Sequence, residues 1–319
     1  MKVKQRKAGR AKSQLLEDIP KACEDEKAAV EFMERQRWGY MPACPRCGSV
    51  KVSKMKDSNG ERNKRFLWRC HDCKRQFTVR IGTIFEDSRL PLRIWCHAFW
   101  RACSSKKGVS ALQISRECSI TYKTALFLMH RIRYAMAEPS KQIKLYGTVE
   151  IDETYVGGKP RFKGKNKRGR GTKKAPVLAL VERDGNVRAR VIPSVTSRTL
   201  RNALRTVDKR SRVITDELPL YKCLNNRFRR GHFTVNHSLR EYVRGDVHTN
   251  TVESYFALLK RGLYGTFHAV SKKHLHRYIS EFEFRWNTRK VDDGKRVVAA
   301  IKGAEGKRLM YHKPTNKSA

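Results

Sequence analysis

The apolar positions of this chain change their period along its length, and the changes mark out its parts. Between Leu90 and Met136 they recur at helical spacing, with Pro91 at a helix start and Trp95, Phe99 and Trp100 following. Ser110 is placed to cap a helix through Glu117. Cys118-Ser119-Ile120 makes a short turn, and Thr121 caps a second helix to about Met136. In that second helix Ala125, Leu128, Met129, Ile132 and Met136 share one face, while Tyr122, Lys123, His130, Arg131 and Arg133 occupy the other. The pair reads as a helix-turn-helix-like DNA-binding segment over 88–138, with Lys123, Arg131 and Arg133 turned to the DNA. A plain helical connector with a solvated charged face is the alternative.

After Pro139 the pattern switches to strands. Tyr146 to Val156 reads as one, Val177 to Val181 and Val187 to Ile192 as two more, the last two joined by the hairpin signal Asp184-Gly185-Asn186. Thr196 to Asp208 suits a helix, Arg212 to Asp216 a fourth strand and Phe233 to Val235 a fifth. A helix from about Asn250 to Gly262 follows. This is the element order of a ribonuclease-H-like α/β domain, placed at 145–290. Ahead of the helical segment, Phe66 to Arg69 and Gln76 to Val79 read as short strands. The whole chain is thus expected to be a multi-domain α+β protein.

Charge narrows the class of partner. Lys and Arg number 71 against 30 Asp and Glu, a net charge of +41. Self-repulsion on that scale is tolerated when the partner is a polyanion, and nucleic acid is the leading one. Between Lys159 and Lys174 nine of sixteen residues are basic and none is acidic. Lys163, Lys165, Lys167, Arg168 and Arg170 of this stretch are candidate phosphate clamps, or else a solvated loop that adds only to the general field. A basic helical segment at 1–40 and a basic tail at 291–319 bracket the rest. The longest apolar stretches fall far short of the ~18 residues of a membrane span. Met1 to Lys12 is basic with no apolar core behind it, so no secretory signal and a cytoplasmic, nucleoid-associated location are expected.

The cysteines point to metal. In a reducing compartment paired cysteines more often bind metal than form disulfides. Cys44-Pro-Arg-Cys47 and Cys70-His-Asp-Cys73 are two C-x-x-C knuckles separated by residues 48–69. Four thiolates at that spacing suit one tetrahedral Zn²⁺ in a zinc ribbon at 41–82. Four protein ligands close the coordination sphere, so this zinc is structural and any chemistry lies elsewhere. His71 is read as a neighbour of the site, and Cys23, Cys96, Cys103, Cys118 and Cys223 as small apolar residues.

In an acid-poor chain, the acids of the α/β domain stand out. Asp152 is expected at the end of the first strand, Asp216 at the end of the fourth and Glu253 on the helix after the fifth. Such positions converge at one edge of a sheet. Oxygen ligands of this kind hold Mg²⁺ or Mn²⁺. Two such ions about 3.5–4 Å apart can activate a water or 3′-hydroxyl for in-line attack on a phosphodiester.

The segments Val149-Glu-Ile-Asp152-Glu-Thr-Tyr-Val-Gly-Gly-Lys159, His248-Thr-Asn-Thr-Val-Glu253-Ser-Tyr-Phe-Ala-Leu-Leu-Lys260-Arg-Gly and Arg277-Tyr-Ile-Ser-Glu-Phe-Glu-Phe-Arg-Trp-Asn287 resemble the catalytic domain of bacterial insertion-sequence transposases of the ISXO-type group. That group also carries an amino-terminal zinc ribbon, and the resemblance covers about Cys44 to Arg289. It implies a DDE-type transposase that binds the terminal inverted repeats of its element, cuts and joins double-stranded DNA, and works as a homo-oligomer on it. Related groups have either Asn or Glu as third catalytic residue, and Asn250 and Glu253 are both present. A carboxylate is the better ligand for a hard cation, which favours Glu253 and leaves Asn250 as a ligand or helix cap. Lys260 lies two turns along the same face, where such enzymes carry a basic residue on the substrate backbone, with Arg261 beside it. A transposase-derived DNA-binding regulator without activity and a plain metal-dependent nuclease are the rival readings.

Overall fold

The computed structural model describes residues 14–137, 144–157, 174–239 and 241–310. The chain begins with helices α1 (Leu15–Glu24) and α2 (Glu26–Trp38), then short strands β1 (Val52–Lys54), β2 (Trp68–Cys70) and β3 (Gln76–Phe77). Helices α3 (Leu92–Ser104), α4 (Ala111–Glu117) and α5 (Tyr122–Met136) follow. Next come β4 (Thr148–Val156), β5 (Ala175–Glu182), β6 (Val187–Val191), α6 (Ser197–Ala203), β7 (Arg212–Asp216) and β8 (His232–Val235). A hairpin of β9 (Val243–Arg244) and β10 (Val247–His248) precedes α7 (Asn250–Gly262), α8 (Leu275–Asn287) and α9 (Asp293–Lys302). These elements form two compact units, Met1–Ser104 with Val291–Ala319, and Ser105–Lys290. The boundary falls inside the stretch expected as one helical segment, leaving α3 in the first unit and α4 and α5 in the second. The basic stretch with Lys163, Lys165, Lys167, Arg168 and Arg170 lies outside the described residues.

In the first unit, Asp25 caps α2 by accepting from the Ala28 backbone N at 2.7 Å, satisfying one of the free donors at a helix start. The pairs α1 with α2, α1 with α3 and α3 with α9 pack together, and Phe32, Met33, Leu92, Trp95, Phe99 and Val297 are buried. The ribbon is a three-stranded antiparallel sheet in the order β1-β2-β3. Its buried cluster is small: Cys44, Trp68, Cys70 and Phe77. Trp68 and Phe77 stack at 6.3 Å, and Trp38 at the end of α2 meets both edge-on at 5.8 and 5.9 Å. The buried Glu34 carboxylate accepts from Trp68 Nε1 at 2.7 Å and pairs with Arg62.

The second unit is built on a five-stranded mixed sheet in the order β6-β5-β4-β7-β8. β5 runs antiparallel to β4 and β6, whereas β4, β7 and β8 are parallel. Both faces are covered. Val149, Ile151, Leu178 and Leu180 pack on one side with Leu200, Leu204, Tyr221 and Leu224. Val177, Ala179 and Val181 pack on the other with Val252, Tyr255 and Phe256 of α7 and Tyr278, Ile279 and Phe282 of α8. Alternation along β4 and β5 produces this split directly. α7 approaches α8 so closely that a Cβ on Gly262 would stand 2.0 Å from the Phe282 ring, so only glycine fits there. The edge strand β6 is tied to α8 by two polar side chains: Asn287 accepts from Val187 N at 2.8 Å, and Glu283 accepts from Ala189 N at 3.1 Å. Both lie in the third segment that carried the family resemblance.

The helix pair forms as its caps predict. Ser110 accepts from Gln113 N, Thr121 accepts from Thr124 N, and Ser119 takes a positive φ in the turn between them. Ala125, Leu128, Met129, Ile132 and Met136 are all buried. The opposite face, expected to be turned to DNA, divides: Tyr122 and Lys123 are exposed. His130, Arg131 and Arg133 are buried, His130 against Tyr278 and Arg133 against Glu281 and Tyr278 of α8.

Candidate active site and metal centre

The two cysteine knuckles converge. Cys44 Sγ lies 3.7 Å from Cys73 Sγ and Cys47 Sγ lies 3.6 Å from Cys70 Sγ, and all four sulfurs fall within 4.8 Å of one another. Tetrahedral Zn–S bonds of about 2.3 Å place sulfurs ~3.8 Å apart, so the cluster has the dimensions of a zinc tetrathiolate. Backbone N–H groups of Cys73 and Asp72 directed at Cys70 help lower its thiol to about 7, which favours the thiolate a metal needs. His71 stands outside the cluster, its Nε2 2.9 Å from Ser53 Oγ.

The carboxylates come together by a different route. Asp216 is the last residue of β7, as expected. Asp152 does not end its strand: it is the fifth of nine residues in β4. The antiparallel ladder with β5 runs on past it to Val156, but the parallel ladder with β7 stops at Glu150 paired with Ile214. Asp152 thus sits where one edge of β4 is released from its neighbour, and continuing the register by two residues brings it beside Asp216. It pairs with Ala179, on the sheet face covered by α7. Asp152 is half-buried, and its carboxyl is pushed up to about 7, by burial first and then by the charges of Glu153, Asp216 and Glu253. Its Oδ1 accepts from Glu153 N at 2.7 Å, which opposes the rise. Among the described residues these acids do not form a group with ligand atoms within 4.8 Å of one another, as the cysteines do.

Two neighbouring acids are engaged elsewhere. Glu153, on the other face of β4, accepts from the buried Tyr221 hydroxyl at 2.6 Å. Glu217 accepts from Ser238 N at 3.1 Å.

Glu253 and Asn250 both lie in the first turn of α7, and both are exposed. Glu253 Oε1 accepts from the Thr249 hydroxyl at 3.2 Å, and the Asn250 backbone N points at His248 Nδ1 at 3.4 Å. The N-cap residue is Thr249, whose side chain makes no capping bond. The first turn is instead held by Glu150, a fully buried residue of β4 to which the sequence reading gave no role. Glu150 accepts from Thr251 N, Thr251 Oγ1 and Val252 N at 2.7, 2.9 and 3.0 Å, and from Arg183 Nε at 2.6 Å. The available signal was a Glu two residues before Asp152, hence on the same strand face, where a helix must cover the sheet.

The expected DNA contacts divide. Lys260, Arg261 and Lys123 are exposed. Arg133 is wholly buried: its Nε donates to Glu281 at 2.7 Å and its guanidinium lies 4.0 Å from the centre of the Tyr278 ring. Arg131 is 6% exposed and stacks on Phe127 at 4.7 Å. Arg133 ties α5 to α8, and neither it nor Arg131, buried beside Phe127 of the same helix, reaches out to a groove.

Comparison with known proteins agrees with the architecture. Residues 144–287 match the model of the ISXO2-like transposase domain, and residues 24–76 match that of a transposase zinc-ribbon domain. A protein of Halobacterium salinarum strain NRC-1, described as an uncharacterized protein in the transposable element ISH50, is 32% identical over 277 residues, covering 82% of this chain and 90% of that protein.

Proposed function

The chain belongs to the ISXO2-like transposase family, and on that premise we propose that it binds the ends of an insertion sequence and catalyses metal-dependent strand cleavage and strand transfer. The observation that carries this reading is the register of β4 and β7, which continued by two residues sets Asp152 beside Asp216 on the face that α7 covers; burial and the charges of Glu153, Asp216 and Glu253 raise the Asp152 carboxyl there. Repelling carboxylates half out of water are a donor set suited to hard cations. Asp152, Asp216 and Glu253 would hold two Mg²⁺ or Mn²⁺ ions, with Asn250 beside them. Such ions supply charge neutralisation at the phosphate and activation of the attacking water or 3′-hydroxyl. Asp152 sheds its proton to bind, Asp216 presents its carboxylate from a strand end, and Thr249 orients Glu253 by its hydroxyl. Lys123, Lys260, Arg261 and the basic stretch with Lys163, Lys165, Lys167, Arg168 and Arg170 bind DNA phosphates. Two ends must be brought together, so the working form is a homo-oligomer on DNA, acting on the nucleoid in the cytoplasm.

The test uses the purified chain, Mg²⁺ and a plasmid carrying the DNA that flanks its gene on both sides. Cleavage at the element's ends and joined products are expected. Tight binding without cleavage would make it a regulator, and cleavage without joining a nuclease. Glu253→Gln is expected to abolish both steps, whereas Asn250→Ala slows them by about tenfold, the lower range for a residue that supports a metal site. The reverse outcome would reassign the third ligand to Asn250.

A further inference from the structure

The start of α7 poses a problem of physical chemistry that the catalytic reading leaves unanswered. A helix opens with four free N–H groups, and the N-cap residue ordinarily satisfies one with its side chain. Here the Thr249 hydroxyl is turned to Glu253 instead. The free donors of Thr251 and Val252 are met by Glu150, 101 and 102 residues away in sequence.

Glu150 is an unusual group for this task. Its side chain is fully buried, and a buried carboxylate is costly unless its oxygens are fully partnered. Four donors surround it: Arg183 Nε, the Thr251 hydroxyl and the amides of Thr251 and Val252. Arg183 is itself fixed at three further points, donating to the carbonyls of Asp246 and His248 at 2.7 and 3.0 Å and to His248 Nδ1 at 3.1 Å. That nitrogen also lies 3.5 Å from Glu150 Oε1, with the Asn250 backbone N pointing at it from 3.4 Å. β4, the β9–β10 hairpin and the first turn of α7 are thereby clamped about one carboxylate. Successive same-face residues of a strand stand about 7 Å apart, so Glu150 and Asp152 are neighbours on the face that α7 covers. The residue after the second clamped amide is Glu253.

We propose that Glu150, braced by Arg183 and His248, is a positioning residue for catalysis: it sets the height and rotation of α7 over β4, and so the placing of Glu253 and Asn250 relative to Asp152 and Asp216. This rests on the reading of those acids as the metal-binding set. A local cap would secure the helix start against nothing but itself. A carboxylate two residues from a metal ligand ties the third ligand to the first through a single side chain.

The test is steady-state cleavage by the full-length protein of duplexes made from the DNA flanking its gene, in Mg²⁺ and in Mn²⁺. Glu150→Gln keeps the shape but sets an amide among four donors. It is expected to lower kcat in Mg²⁺ by about a hundredfold, within the range for residues that orient metal ligands, while the KM for DNA moves less than twofold. Mn²⁺, with less exacting geometry than Mg²⁺, should restore much of the loss. Hydrogen exchange should show the Thr251 and Val252 amides deprotected and the β4–β5 ladder intact. Should Glu150→Gln not fold, Thr251→Val removes the hydroxyl donor alone and is expected to lower kcat several-fold with the same recovery in Mn²⁺. Wild-type kcat in either folded variant overturns the proposal. So does a loss accompanied by general deprotection of the sheet, which would make Glu150 a matter of folding only. Asp152→Asn, assayed alongside, separates the two layers: if it still cleaves, the metal-site reading itself fails, whereas a dead Asp152→Asn beside a fully active Glu150→Gln removes only the positioning role.

Discussion

The ribbon and the carboxylate site solve the problem of gathering like-charged ligands in opposite ways. In the ribbon, each pair of sulfurs is delivered by a tight turn, two turns suffice, and the four atoms already have the spacing of a tetrahedral site. The acids proposed for catalysis come from two strands and a helix, elements that a five-stranded sheet and the α7 clamp hold in place. One site is local and made for a single metal. The other is distributed and stays open, with Glu253 exposed and Asp152 holding a proton until about pH 7. Closed coordination suits a structural metal, and an open, repelling set suits one that must share its ligands with substrate.

The largest expected effect breaks the distributed site alone. Asp152→Asn and Asp216→Asn should each lower cleavage and strand transfer by at least about a thousandfold, in the range seen when a unit of catalytic machinery loses a member. Binding to the element's ends should be unchanged or tighter, since a negative charge near phosphate is removed. Gel-shift and cleavage assays on one preparation decide it; near-normal cleavage by Asp152→Asn would sink the catalytic assignment.

The ribbon should fail differently. Cys44→Ser or Cys70→Ser should lose about one zinc per chain by metal analysis, and the amides of β1–β3 should lose protection while the β4–β8 sheet keeps its own. Structural zinc contributes folding free energy directly, and with Trp68 and Phe77 as its buried aromatics the ribbon has little else. End recognition should weaken by about tenfold or more, on the expectation that a folded ribbon contributes several phosphate contacts. A wild-type protein that contains no zinc would remove this half of the comparison.

The same contrast accounts for what could be read in advance. The ribbon was legible because both its ligands and its turns lie within four-residue windows. The strands along the α/β domain and the caps Ser110 and Thr121 were legible because period and capping are local signals. Asp152 was placed on the right strand but at the wrong point along it, since which ladder stops where depends on β7, a partner 64 residues on. Arg133 was read as turned to DNA for a related reason: a helical wheel shows two faces but not how many neighbours the helix has, and α8 with its buried Glu281 is invisible from within α5. Glu150 was missed because alternation puts it on the face of Asp152 but does not show what it holds. Its meaning appears only when α7 lies across it.

The smallest effect sharpens the comparison through pH. In the metal-free protein the Asp152 carboxyl is held near 7, above its ordinary value of 3.8, so the folded chain keeps a proton that the unfolded chain releases. The sign follows from linkage. This contribution to stability is fully present below about pH 3.8 and is lost as pH rises through about 7. Asp152→Asn is neutral throughout and loses nothing, so the stability of the variant relative to wild type should grow between pH 4 and 7 and level off above. Urea unfolding in EDTA, followed on the second unit's helices and sheet, measures the difference. Adding Mg²⁺ should oppose the wild-type trend, since an ion that binds the deprotonated folded state stabilises it more as the proton leaves. The Asn variant, lacking that ligand, should respond far less. A difference that stays flat from pH 4 to 8 would mean that Asp152 is not under the repulsion inferred for it, and the contrast between a closed site and a charged open one would lose its physical basis.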